Sequence, residues 1–109
     1  MRFFVFIIFF SLFIQAAMAN EETPTTKIKI LQSWAGDNAF YIWTDEQAKL
    51  NPANCNYSGS YYLPASASES TKSMIISAAM SKANVKFVLY SEGCQQNRPQ
   101  VVAVKIIGD

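Results

Sequence analysis

Histidine is absent from all 109 residues. That removes a Ser-His-Asp triad, a Cys-His pair and every imidazole metal ligand. Cysteine is nearly absent: Cys55 and Cys94 stand alone, too far apart for a CxxC redox motif. Charge of one sign is also lacking. The chain carries nine Lys plus Arg against eight Asp plus Glu, and setting aside Arg2 of the N-terminal leader leaves eight against eight. No basic stripe is present, so nucleic acid is not an expected partner. Among the acids, Asp45 and Glu46 are neighbours that point apart on an extended chain, a poor arrangement for paired-carboxylate chemistry. A nucleophile, base and orienting group cannot be assembled from what remains. The expectation is a non-enzymatic protein with no cofactor and no metal.

A long hydrophobic run is missing as well. Phe3 to Ile14 is apolar apart from Ser11, but a membrane span needs about 20 apolar residues. Arg2 ahead of the run, and small residues at Ala17 and Ala19 after it, match a secretory signal peptide cut after Ala19. The expected product, residues 20–109, is a single secreted or periplasmic domain with no membrane span. Its first residues, 20–26, are polar and contain Pro24, and read as a flexible lead-in to a domain over 27–109. So small a domain gains from a covalent staple or from oligomerisation, and its near-zero net charge permits self-association. Two cysteines in an exported chain favour a disulfide between Cys55 and Cys94. Closing about 40 residues contributes about 4 kcal/mol in the chain-entropy model.

What is present has short-strand periodicity. Lys27 to Leu31 alternates, which places Ile28 and Ile30 on one face. Turn residues Ala35-Gly36-Asp37-Asn38 separate it from Ala39-Phe40-Tyr41-Ile42-Trp43, so Thr26–Trp34 and Ala39–Thr44 read as a hairpin. Asn51-Pro52 stops any helix begun at Glu46, and Cys55 follows in a loop. A third strand is expected near 56–63. Then the period changes. Ser66 and Glu69 have capping-box spacing, and Ile76, Ala79, Met80 and Ala83, widened by Ile75, form an apolar stripe. The pattern predicts a helix over 69–83 with Asn84 as its terminator. Val85, Phe87 and Leu89 then share one face of a fourth strand. Residues 92–100 read as a loop carrying Cys94 and Pro99. Val101 to Ile107 is apolar on both parities except Lys105, the pattern of a strand that is central or covered on both faces.

The order is β-β-β-α-β-β. That is the order of an OB-fold, a partly open five-stranded Greek-key barrel. The alternative is an open α+β sheet with the helix packed on one face. OB barrels often bind single-stranded nucleic acid through basic grooves, against which export and the neutral charge balance weigh here.

Three stretches carry a family resemblance: Ile28-Lys29-Ile30-Leu31-Gln32, Ala53-Asn54-Cys55, and Met74 to Met80 running into Val85-Lys86-Phe87. With the size, leader and lone cysteine pair, they resemble the subtilase-cytotoxin B-subunit-like family, the B subunits of AB-type bacterial toxins. The resemblance implies an OB-fold subunit that forms a homo-oligomeric ring of five, binds cell-surface glycans and serves a catalytic A subunit. It also implies sugar contacts at Thr26, standing where that family has Ser, and at Tyr90, reached by a one-residue shift from Leu89. A second reading of the same chain is a periplasmic structural or inhibitory protein that caps a protein partner.

Nine aromatics lie beyond the leader: Trp34, Phe40, Tyr41, Trp43, Tyr57, Tyr61, Tyr62, Phe87 and Tyr90. Trp34 precedes Gly36-Asp37-Asn38, and Tyr57 lies within Asn54 to Ser58. Aromatics among polar loop residues suit a small polar ligand, since sugar C–H faces stack on the ring while amides and carboxylates bond the hydroxyls. Trp34, Asp37, Asn38 and Tyr57 are therefore candidate glycan contacts. The plain alternative is that Trp34, Tyr41 and Trp43 cover the sheet, where aromatics are favoured. Ser70, Ser73, Ser77 and Ser81 line one side of the helix, either a solvated face or a surface for close helix approach. Asn56-Tyr57-Ser58 is an N-glycosylation sequon that matters only in a eukaryotic secretory pathway.

Overall fold

The computed structural model describes residues 20–45 and 50–108. The expected leader with its cut after Ala19, and the segment around Glu46, lie outside them. Seven elements follow in order: β1 (Glu21–Glu22), β2 (Ile28–Gln32), β3 (Phe40–Thr44), β4 (Tyr61–Leu63), α1 (Glu69–Ser81), β5 (Asn84–Gln95) and β6 (Arg98–Ile107). The protein is mainly β with one helix. The strands form one mixed six-stranded sheet in the order β1-β5-β6-β4-β3-β2. Neighbours are antiparallel except β4 and β6, which run parallel through Tyr62 and Gln100. The sheet is not a closed ladder, because β1 and β2 stand at its two ends. The open α+β arrangement fits, with α1 contacting both β2 and β6.

β1 and β2 are consecutive in the chain, however, and the segment between them is not a loose lead-in. Thr23 donates its N–H to Phe87 O at 2.8 Å, and its hydroxyl accepts from the Phe87 N–H at 3.0 Å. Thr26 and Val85 exchange two backbone bonds of 2.9 and 2.8 Å. Both threonines are buried. Polar composition suggested a free segment; β-branched Thr at these two points instead pairs with β5.

The β2–β3 hairpin forms as expected, with one correction. Ile28 pairs with Thr44 and Ile30 with Trp43, so β2 carries a one-residue bulge. A bulge reverses the alternation beyond it. Ile28 is therefore buried and Leu31 packs on the core, whereas Ile30 is 48% exposed. Ile28 and Ile30 do not share a face. The connecting turn has Asp37 N–H bonded to Trp34 O at 3.0 Å with Gly36 at φ +81°. That positive φ at the third turn position is the requirement of a type II turn, met by glycine.

The helix is found over 69–81, with its caps displaced. Ser68, not Ser66, is the N-cap: its Oγ accepts from Thr71 N–H. Lys82, not Asn84, takes the left-handed terminal conformation at φ 57°. Asn84 instead opens β5. The buried stripe is also rotated. Ile75 and Ala78 are fully buried, while Ile76 is exposed and Met80 is 81% exposed. Small Ala78 and Ala79 let α1 lie close over the sheet, and the larger Ile76 and Met80 fall on the flank that faces out.

β5 and β6 make a long hairpin, where Glu92–Gln100 had read as a loop. Gln95 pairs with Arg98 across a two-residue turn whose residues, Gln96 and Asn97, both have positive φ. This is the turn whose twist matches a β-hairpin, and Asn is among the residues that tolerate it. Cys94 thus lies within a strand, paired with Pro99. The expected third strand is shorter than 56–63, comprising Tyr61–Leu63 alone. β6 is central, yet not covered on both faces, since Val102 and Ile106 are exposed. Val85, Phe87 and Leu89 do share the inner face and are fully buried. With Ile28, Ile42, Tyr61, Leu63, Ile75, Ala78 and Val101 they form the core between sheet and helix. Tyr61 meets Phe87 edge-on at 5.7 Å between centroids, and burial pushes its phenol up to about 12.

The Thr23 hydroxyl contributes a single side-chain bond to the β5 backbone, so it can be tested alone. Thr23→Val keeps the shape but strands the buried Phe87 N–H. Chemical denaturation of this variant is expected to show a loss of about 1–3 kcal/mol.

Candidate functional site

The inward side chains of β3 and β4 build the core, so the alternate ones face outward. Tyr41 and Tyr62 are direct cross-strand partners on that outer face, and their rings meet edge-on with centroids 5.1 Å apart. β6 runs beside β4 and brings Arg98 to the same place. The Arg98 guanidinium lies 4.9 Å from the Tyr41 ring centroid and 4.6 Å from that of Tyr57. Both distances are within cation–π range. Arg98 Nε donates to Ser60 Oγ at 2.8 Å, and Nη1 donates to Gln96 O at 2.9 Å. The arginine is therefore within reach of two rings and held by two hydrogen bonds.

Each neighbour has a local reason for its position. Tyr57 N–H donates to Asn97 O at 2.9 Å, which docks the 51–60 loop on the β5–β6 turn. A Cβ placed on Gly59 would stand 3.0 Å from Tyr57 Oη, so glycine is what lets this ring fold back over the chain. Upstream, Asn51 clasps Cys55 twice: Oδ1 accepts the Cys55 N–H at 2.8 Å and Nδ2 donates to Cys55 O at 2.9 Å. The Cys55–Cys94 disulfide, with Cα atoms 5.7 Å apart, ties this loop to β5.

The electrostatics of the face are those of one cation and one anion among phenols. Burial, then the Asp37 carboxylate, then Tyr41 push the Tyr62 phenol above its ordinary value. Asp37 therefore lies near enough to act on Tyr62, and its Oδ1 accepts the Ala39 N–H at 3.0 Å. The ion pairs among the described residues, Glu22 with Lys86 and Lys105, lie far along the β5–β6 hairpin from Arg98. There the hydrogen bond from Lys105 holds the Glu22 carboxyl below its usual range.

The residues expected from sequence divide into two groups. Tyr57 is in the cluster and 43% exposed; Asp37 acts on it; Asn38 and Trp34 stand exposed in the adjoining β2–β3 connection, Trp34 at 58%. Thr26 and Tyr90 are elsewhere. Thr26 is buried and paired with Val85. Tyr90 opens the irregular stretch of β5 between Leu89 and Cys94. Five positions of β5 separate Val85 from Tyr90, roughly 16 Å along a strand, so the two do not meet as one site. Tyr41, Tyr62, Ser60 and Arg98 had not been singled out. Arg98 is one of two arginines in the chain, with Arg2, and directly follows a Gln-Asn pair, which is the signal that could have marked it.

One further recess of about 240 Å³ lies at the other end of the β5–β6 hairpin, lined by Lys27, Lys82, Ala83, Asn84, Ile107 and Gly108. Its Lys27 ammonium is already engaged, donating to Lys82 O at 3.1 Å. Among the described residues no group of three or more His, Cys, Asp or Glu could hold a metal ion, and no helix is long and apolar enough to cross a membrane.

No family model matches the chain, and neither a curated protein nor a solved structure matches it.

Asp37 is the carboxylate among the groups that raise Tyr62, and its contribution can be removed by itself. In Asp37→Asn, the Tyr62 phenol is expected to titrate lower than in the parent protein while remaining raised by burial, as read from its ring ¹³Cζ resonance against pH.

Proposed function

We propose that this protein is an exported, non-enzymatic binding protein that recognises cell-surface glycans through the Tyr41–Tyr62–Arg98–Tyr57 face. The observation that carries the reading is the Arg98 guanidinium within cation–π distance of both Tyr41 and Tyr57, beside the exposed Trp34–Asn38 connection. The exposed Tyr57 and Trp34 rings offer stacking surface to sugar C–H groups, and the guanidinium, Asp37 and Asn38 offer directed hydrogen bonds.

The pairing pattern supports an OB-type barrel within the open-sheet description. Residues 21–26 pair with β5 while their continuation, β2, pairs with β3, and the Thr26–Val85 bridge lies between the two ladders. Counting 21–32 as one strand gives the order 1-2-3-5-4 returning to 1. In that reading β3 and β4 are the second and third strands. The loops at 33–39 and 96–97 are then the 1–2 and 4–5 connections. OB-folds bind oligosaccharides and oligonucleotides on this face and these loops. The charge balance decides between those ligands: the face offers one arginine, and the described lysine ion pairs are at the far end of the hairpin. This supports glycan over nucleic acid.

The toxin B-subunit resemblance is retained as part of the proposal, with export, a homo-oligomeric ring and service to an A subunit. The exposed flank of α1, Ile76 and Met80 beside Ser73 and Ser77, supports a protein contact on the helix. The same flank favours the second reading, a structural or inhibitory protein that caps a protein partner.

Glycan-array binding tests the site. Tyr57→Ala and Trp34→Ala are each expected to weaken binding about tenfold, the loss of one anchoring aromatic contact. Full signal in both variants would sink the assignment. Light scattering at micromolar concentration tests the ring: the expected mass is a multiple of the chain, and a monomer refutes it.

A further inference from the structure

Tyr57 and Arg98 come from two segments that the Cys55–Cys94 bond joins. Cys55 stands two residues before Tyr57, and Cys94 four residues before Arg98. The bond sits at the foot of the Tyr57–Arg98 contact. Two hydrogen bonds add to it there, Tyr57 N–H to Asn97 O and Arg98 Nε to Ser60 Oγ.

Residues 51–60 contain no helix or strand and lie outside the apolar cluster between sheet and helix, although Cys55 and Ser60 within them are buried. Cys94 is an exposed residue at the hairpin end, whereas Cys55 is buried. A thiol can therefore approach the Cys94 side of the bond, and access governs exchange.

We infer that the Cys55–Cys94 bond is a redox latch on the binding face: closed, it holds Tyr57 over Arg98; reduced, it releases the 51–60 loop and removes the face's exposed ring. The functional consequence rests on the glycan-binding reading; the latch itself does not. The reductant is a dithiol. One of its thiolates attacks Cys94 Sγ and forms a mixed disulfide, the Cys55–Cys94 bond breaks, and Cys55 leaves as a thiolate that takes a proton from water. The second thiol, losing its proton, then attacks the dithiol's own sulfur in the mixed disulfide. Cys94 leaves and is protonated, and the dithiol departs as its cyclic disulfide. Two electrons pass to the protein, and two thiols result.

The test is reduction of the intact protein with dithiothreitol, its completeness checked by the mass of two alkylated thiols. The Arg98 Nε–Hε resonance reports the stack without any glycan, because two ring currents act on it. On reduction it is expected to move to the position of a solvated arginine while the Phe87 and Ile75 core resonances stay in place. Glycan affinity is expected to fall about tenfold, matching Tyr57→Ala. The Cys55→Ala/Cys94→Ala double variant should reproduce both effects without reductant. An Arg98 resonance unmoved in fully reduced protein overturns the latch. So does collapse of the core resonances with it, which would make the bond a staple of the whole domain. If the resonance moves but the oxidised protein binds no glycan, the latch stands and the glycan reading fails.

Discussion

The structure depends on one segment serving two ladders. Residues 21–26 are bonded to β5, and 28–32 to β3. Between them Thr26 exchanges two backbone bonds with Val85, and Thr23 satisfies both backbone groups of Phe87, one through its side chain. Phe87 is a fully buried core side chain, so its N–H and C=O cannot turn to water. If the segment left β5, those groups would lose their partners and the inner face of β5 would open. The bulge in β2 follows from the same constraint. A strand that changes partner must re-aim its side chains, and the extra residue lets Ile28 and Leu31 both face the core.

Much of this frame was legible in the sequence because it rests on local signals. Turn residues between two apolar runs gave the β2–β3 hairpin. The change from period two to period 3.6 gave the helix, and Val85, Phe87 and Leu89 gave the inner face of β5. Two cysteines in a chain with a leader-like start gave the disulfide. What failed was whatever depended on a partner distant in sequence. β1 is a pair of glutamates with no strand character of its own, and it is a strand because β5 lies beside it. The Gln96-Asn97 turn carries no glycine, so the hairpin signal was hidden. The helix stripe was misplaced because Ile76 and Met80 are the more hydrophobic residues, whereas close packing on a sheet favours the smaller Ala78 and Ala79.

The proposed binding face was only half legible for the same reason. Loop composition pointed to Trp34, Asp37, Asn38 and Tyr57, which stand in or beside the Tyr41–Tyr62–Arg98 cluster. Tyr41 and Tyr62 read as ordinary strand aromatics, and Arg98 as a loop residue. Their significance arises from register: Tyr41 opposite Tyr62, and β6 parallel to β4 through Tyr62 and Gln100. No window of sequence holds that alignment. Thr26 shows the converse error, a residue type matched to a family position whose backbone and side chain are buried at a strand bridge.

The arginine itself explains why this face is suited to a ligand rather than to packing. A half-buried guanidinium must replace lost hydration. A carboxylate partner would neutralise it and close the site. Here the compensation comes from two nearby rings, a hydroxyl and a backbone carbonyl, which hold the group without cancelling its charge. Lysine could not replace it, because an ammonium has neither the flat surface to lie between two tyrosines nor the fork of donors that reaches Ser60 and Gln96 at once. The tyrosine on the open side is also the one least tied to the core, since it belongs to the 51–60 loop. The cluster therefore combines a charge carried by β6 with a ring on a loop that is tied down by the Tyr57 N–H to Asn97 O bond and by the disulfide two residues before it. In the proposed glycan reading, affinity should then follow how well that loop is held, more than how well the core is packed.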